Sequence, residues 1–185
     1  MSGEDLPKMA GIVVQQHLEA FAELYGKDTL DQALAALDEA DRGELTMVVA
    51  PGWVSMPALE SFYEVSAGLV GRTAAQVHAS ASGRAMEKRL RTLWKIILRF
   101  TSDEALVQRT GMLFSKTYSR GRLTTESIGG GRATVRLSGW PDAPDLVVRG
   151  VKVGIGVVLR AAGRRHVEAT ATRTPDGALF EARWR

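Results

Sequence analysis

The stretch PDLVVRGVKVGIGVVLRAAG, residues 144–163, does most to narrow what this chain can fold into. It follows a Trp-Pro-Asp-Ala-Pro turn and ends on Ala-Ala-Gly, where Gly163 is free to take the positive φ of a helix C-cap. Val and Ile abound in it, so a strand is the alternative, but the run is too long for one strand and a helix is the better reading. Gly150, Gly154 and Gly156 lower its helix propensity, which is tolerable where another element packs closely. On one side, residues 122–128 and 132–138 flank Gly129-Gly130-Gly131; on the other, residues 166–173 and 178–184 flank Pro175-Asp176-Gly177. Each set reads as strand, tight turn, strand, and Val135 and Leu137 alternate with Thr134 and Arg136 at the period of a half-buried strand. One helix therefore joins two hairpins.

Upstream the periodicity is helical, and six helices are expected. Residues 10–25 carry Ile12, Val13, Leu18, Phe21, Ala22 and Tyr25 close to helical spacing, with His17 expected on the surface. Asp28 or Thr29 caps a second helix, 30–40, with Leu30, Ala33, Leu34 and Leu37 as its stripe. Residues 1–8 read as a lead-in and 43–57 as a linker. Ser55 or the Pro57 region starts a helix over 58–69, and Thr73 caps another over 74–82, which Gly83 ends; His78 in it is expected to be structural. Beyond Gly83, Met86, Leu90, Leu93, Trp94 and Ile97 recur at steps of three and four. A helix capped by Ser102 fills 104–119 and stops at Gly121. The fold class expected is α+β: a helical part, residues 1–120, packed with a four-stranded antiparallel sheet of two hairpins joined by a helix, residues 121–185, in a single domain.

The 185 residues suffice for one sizeable core, and their 45% hydrophobic and 24% charged content is that of a globular chain rather than a disordered one. No apolar run is long enough to span a bilayer, and the first residues, MSGEDLPKMAG, are acidic, unlike a signal peptide. A cytoplasmic address is the expectation. The net charge of +3 hides an asymmetry: residues 1–71 hold 12 acids and 3 bases, a net −9, and residues 72–185 hold 9 acids and 21 bases, a net +12. The halves either pair with one another, within or between subunits, or the basic half meets an anionic partner. Arg84, Lys88, Arg91, Lys95 and Arg99 form one helical stripe, read as a solvated face or as a docking stripe for an acidic protein or nucleic acid.

Catalytic chemistry is not legible. Cysteine is absent, which removes thiolate nucleophiles and sulfur-ligated zinc, and three histidines at 17, 78 and 166 do not suggest a metal cluster. Gly129-Gly130-Gly131 lacks the Gly-Lys-Ser/Thr ending of a phosphate loop, and Gly150, Gly154 and Gly156 miss the dinucleotide spacing. Trp94, Met112, Phe114, Tyr118 and Trp140, with Phe180 and Trp184, are large side chains near the helix-to-sheet region. They either fill the core or line an apolar pocket, with Met112 an adaptable wall.

Met9-Ala-Gly-Ile-Val-Val, then Phe21, Tyr25-Gly26 and Leu30, resemble the first two helices of heme–nitric-oxide-binding domains. Tyr118-Ser-Arg-Gly-Arg-Leu123, Gly139, Gly150, the cap at Gly163 and Phe180 to Trp184 resemble the 4-vinyl-reductase ligand-binding domains. A paralogous family of myxobacterial proteins is similar in length and pattern. The resemblance implies helices against a four-stranded antiparallel sheet, a fold related to that of TRAPP vesicle-tethering subunits. It also implies a proximal histidine before the sheet and a Tyr-x-Ser-x-Arg motif where heme is bound, or cysteines where zinc is bound. Residues 93–119 hold no histidine, Arg120 and Arg122 take the third and fifth positions from Tyr118, and there is no cysteine. The expectation is a non-catalytic sensory or protein-interaction module without cofactor, homodimeric, binding a small apolar ligand. The alternative is an adaptor that docks through its basic helix.

Overall fold

The computed structural model describes residues 6–90 and 102–185. The chain divides into two compact units, Met1–Ala85 with Thr117–Ser119, and Met86–Lys116 with Arg120–Arg185.

The first unit opens on a strand, β1 (Lys8–Ala10), where a lead-in was expected, and a second short strand, β2 (Trp53–Ser55), lies in the expected linker. They pair antiparallel, with Met9 opposite Val54. Three-residue strands carry almost no periodicity, which is why the sequence pattern missed them. The same small sheet takes in a piece of distant chain: Met9 bridges Tyr118, and Ser119 donates its N–H to the Lys8 carbonyl at 3.0 Å. α1 (Gly11–Tyr25) follows without a side-chain cap, its first N–H donating instead to the Gly52 carbonyl at 2.7 Å. A side chain at position 11 would press on the Val49 carbonyl, so the close crossing requires glycine there. The buried face of α1 is Val13, Val14, His17, Ala20 and Phe21, while Ile12 is exposed. The face is thus rotated from the expected one, and His17 is inside.

The helix expected over 30–40 is two helices, α2 (Lys27–Ala35) and α3 (Glu39–Thr46). Asp38 causes the break: its carboxylate accepts from the Asp41 N–H at 2.8 Å, an N-cap that starts a new helix. α4 (Met56–Val70) begins at Ser55, which caps the Ala58 N–H, and ends at Gly71 in the left-handed region. α5 (Ala74–Leu90) opens on a capping box: Thr73 Oγ1 accepts from the Gln76 N–H and Gln76 Oε1 from the Thr73 N–H. It runs straight through Gly83, where a break was expected, since one helical glycine costs only about 1 kcal/mol.

In the second unit, α6 (Asp103–Thr117) leads to β3 (Arg122–Gly129) and β4 (Arg132–Ser138), joined by Gly130-Gly131 with both φ positive, as a type I′ turn requires. α7 (Asp145–Ala161) closes in a Schellman motif: Arg164 N–H to the Leu159 carbonyl and Gly163 N–H to the Arg160 carbonyl, with Gly163 at φ 85°. β5 (Glu168–Thr174) and β6 (Gly177–Arg183) complete an antiparallel sheet in the order β3-β4-β6-β5. α7 packs over β5 and β6, and the buried sheet positions are Leu123, Ala133, Val135, Leu137, Ala178, Phe180 and Ala182. Among the described residues, Gly154 meets the Met86 methyl at ordinary contact distance and Gly156 the Arg160 guanidinium, and no backbone approaches these two glycines closely. The α+β class, with helices ahead of a four-stranded antiparallel sheet of two hairpins joined by a helix, agrees with the sequence reading. No helix of the described residues is long and apolar enough to cross a membrane.

Gly11→Ala should destabilise the protein by about 2 kcal/mol, the usual scale of overpacking, read as a lowered urea midpoint. An unchanged midpoint would mean that the crossing at Gly52 is not tight in solution.

Candidate functional site

Among the described residues, the most concentrated set of buried polar groups lies in the first unit. α1 supplies His17, α4 supplies Tyr63 and α5 supplies His78, each on the apolar face of its helix. His17 is 6% exposed, Tyr63 1% and His78 0%. His17 Nδ1 and Tyr63 Oη are 2.9 Å apart and hydrogen-bonded. The His78 ring stands edge-on to Tyr63 at 4.9 Å between centroids and is tilted against His17 at 5.7 Å. Phe62 and Phe21 extend the cluster, their rings 5.2 Å apart. Burial pushes the Tyr63 phenol well above its ordinary value of 10.0, with Tyr118 and Tyr25 adding to it, and burial alone raises Tyr118 likewise. The histidine at 17 could have been placed from the sequence. It falls four residues after Val13 and four before Phe21, on one helical face.

The residues expected to line an apolar pocket divide between the units. Tyr118 is 8% exposed and belongs to the first unit; Phe114, 4% exposed, and Trp140, 3% exposed, belong to the second. Trp140 packs beside Gly121, and its N–H donates to the Asp176 carbonyl at 3.1 Å. Met112 is 54% exposed, at odds with a pocket wall. Trp94 lies outside the described residues, as do Arg91, Lys95 and Arg99 of the basic stripe. Of the stripe's other members, Arg84 is paired with Glu23 at 2.9 Å and Lys88 is likewise engaged. No group of three or more histidine or carboxylate side chains able to hold a metal ion occurs among the described residues.

No protein-family profile and no curated protein sequence matches this chain. Solved structures do. The Fe(II) unliganded H-NOX protein from K. algicida superposes with a TM-score of 0.71 at 9% identity, over 96% of this chain and 97% of that one. A substituted variant of Tt H-NOX gives 0.68 at 10% identity, over 96% and 95%. An oxygen-binding H-NOX domain related to soluble guanylate cyclases gives 0.62 at 12% identity, over 96% and 95%. This chain has the H-NOX fold. At these identities the likeness is one of backbone architecture. His17 and His78 are enclosed in the ring cluster of the first unit, and His166 is exposed, with φ 50°, on the approach to β5.

His17→Leu and Tyr63→Phe should each cost about 1–3 kcal/mol, since each strips a buried partner from the other. The double variant should cost less than the two together, because no orphaned group remains. A double-mutant cycle in urea reads this, and strict additivity would contradict the bond. The raised phenols carry a pH signature. The unfolded chain releases their protons near pH 10 while the folded unit holds them, so stability is intact below pH 10 and falls above it. The slope is about 1.4 kcal/mol per pH unit for each tyrosine. Tyr63→Phe should make that alkaline slope shallower; an identical slope would place the titration elsewhere.

Proposed function

We propose that this chain is a non-catalytic sensory module that uses the H-NOX fold without a histidine-ligated heme, with a small apolar ligand or a protein partner as its input. The neighbouring structures are described as unliganded Fe(II) and oxygen-binding H-NOX proteins and by heme distortion in the H-NOX family, which supports a ligand-sensing role for the fold. A histidine-ligated heme does not fit the histidines present. A histidine ligand needs an imidazole nitrogen with open space beyond it for iron and the porphyrin face. His78 is wholly buried with rings at 4.9 and 5.7 Å, and His17 is bonded to Tyr63. His166 stands in solvent beside a strand end, where a porphyrin would remain largely wet. The placement of these three histidines is the observation that carries the reading. The absence of cysteine removes the thiolate alternative. The homodimer expected from the sequence belongs to the same proposal. The adaptor reading is weaker, because Arg84 and Lys88 at the start of the basic stripe are already engaged.

Protein purified from heme-replete cells, and then mixed with hemin, should give no histidine-ligated Soret spectrum. Native mass spectrometry of the same preparation should give a dimer mass and, on denaturation, a released small organic molecule. A stoichiometric histidine-ligated heme would overturn the proposal, whereas an apo dimer would narrow the input to a protein.

A further inference from the structure

The sheet of the second unit has two edges, β3 and β5, and they are finished differently. β3 carries a register shift between Thr125 and Ser127, where Glu126 leaves the ladder and is bonded by Arg136. Such a bulge bends an edge and discourages further pairing. β5 stays in regular register with β6 from Glu168 to Thr174, without proline or bulge. Its middle residues, Ala169, Thr170, Ala171 and Thr172, are small, and Thr170 and Thr172 are exposed. Among the described residues β5 pairs with β6 alone, so its outer side keeps unused N–H and C=O groups.

Along this edge lies an open cleft of about 260 Å³, lined by Asp145, Val148, Arg149 and Lys152 of α7 and by Ala171 and Arg173 of β5. No residue of β6 lines it, so the cleft lies on the outer flank of the helix. Half of its lining is cationic. Arg173 is occupied by the Asp145 carboxylate and the Ala143 carbonyl. Arg149 and Lys152, one helical turn apart, have no ion pair among the described residues. A strand edge without a second partner strand, beside two cations without an ion pair, both among the described residues, matches one kind of occupant: an extended segment whose backbone pairs with the edge and whose carboxylates answer the cations.

We infer that β5 is a docking edge, on which an extended acidic segment of a partner protein adds as a fifth strand with its carboxylates on Arg149 and Lys152. A second copy of the chain fits poorly. Two β5 edges joined about a two-fold axis would bring both sets of cations onto one face of the joined sheet, and like charges across a strand pair oppose it. The inference is independent of what the rest of the chain senses.

The test uses the full chain and eight-residue synthetic peptides that alternate glutamate with valine or threonine. Binding tighter than about 1 mM at low ionic strength, with slowed hydrogen exchange at residues 169–173, is the expected result. Arg149→Glu with Lys152→Glu should weaken it about tenfold or more. Peptides N-methylated at every second amide, in either phase, should weaken by as much while leaving the protein unaltered, so the test stands even if the double variant folds poorly. Four results would overturn the inference: no glutamate peptide binds, N-methylation has no effect, lysine in place of glutamate binds as well, or exchange slows only outside β5.

Discussion

The pairing of β4 with β6 is the constraint on which the second unit depends. Each hairpin could form locally, but only this central pairing makes them one sheet, setting Val135 opposite Phe180 and Leu137 opposite Ala178. The shared buried face of Val135, Leu137, Ala178, Phe180 and Ala182 then gives α7 something to cover, which neither two-stranded hairpin offers alone. Asp176 fastens the arrangement. Its carboxylate accepts from the Gly139 N–H and its carbonyl from the Trp140 N–H, so the exit of β4 is tied to the turn between β5 and β6. The chain therefore leaves β4 in a fixed direction and enters α7 over the sheet rather than away from it.

The first unit is organised differently, around rings. Helices α1, α4 and α5 each contribute one polar aromatic side chain to a common interior, and Phe21 and Phe62 close it with apolar surface. A buried imidazole is tolerable here because Tyr63 meets His17 at hydrogen-bond distance. Polar groups placed this way specify which helix faces meet, because a rotated helix would bury the same groups without a partner.

The sequence was most readable where a long periodic signal met a strong stop. Residues 144–163 gave α7 almost to the residue, because a Val-rich stretch too long for one strand and ended by Gly163 admits few alternatives, and both hairpins followed from their turn residues. It was least readable where local chemistry overrode periodicity. Asp38 split one apparent helix by capping a second, and Gly83 failed to split another because a single helical glycine is affordable when neighbours pack. Order within the sheet was not legible, since the choice of β6 over β5 beside β4 depends on the path of α7. Side-chain burial was less legible than the fold. His17 was expected in solvent because its neighbours Gln15, Gln16 and Glu19 are polar, although its fourfold spacing to Val13 and Phe21 places it inside. Met112, read as an adaptable wall residue of an apolar pocket, is 54% exposed.

The capture of residues 117–119 by β1 has a consequence for biosynthesis. The Lys8 N–H donates to Ser119 Oγ across a sequence separation of 111 residues. Tyr118, buried in the first unit, comes from the same remote segment. While the chain is growing on a ribosome, the first 85 residues can gather their helices but must wait for Ser119 to emerge before their small sheet is complete. The unit that leads this chain in sequence is completed by residues that come more than thirty positions after its main segment ends. For the same reason, a fragment ending at residue 85 is not a miniature of it.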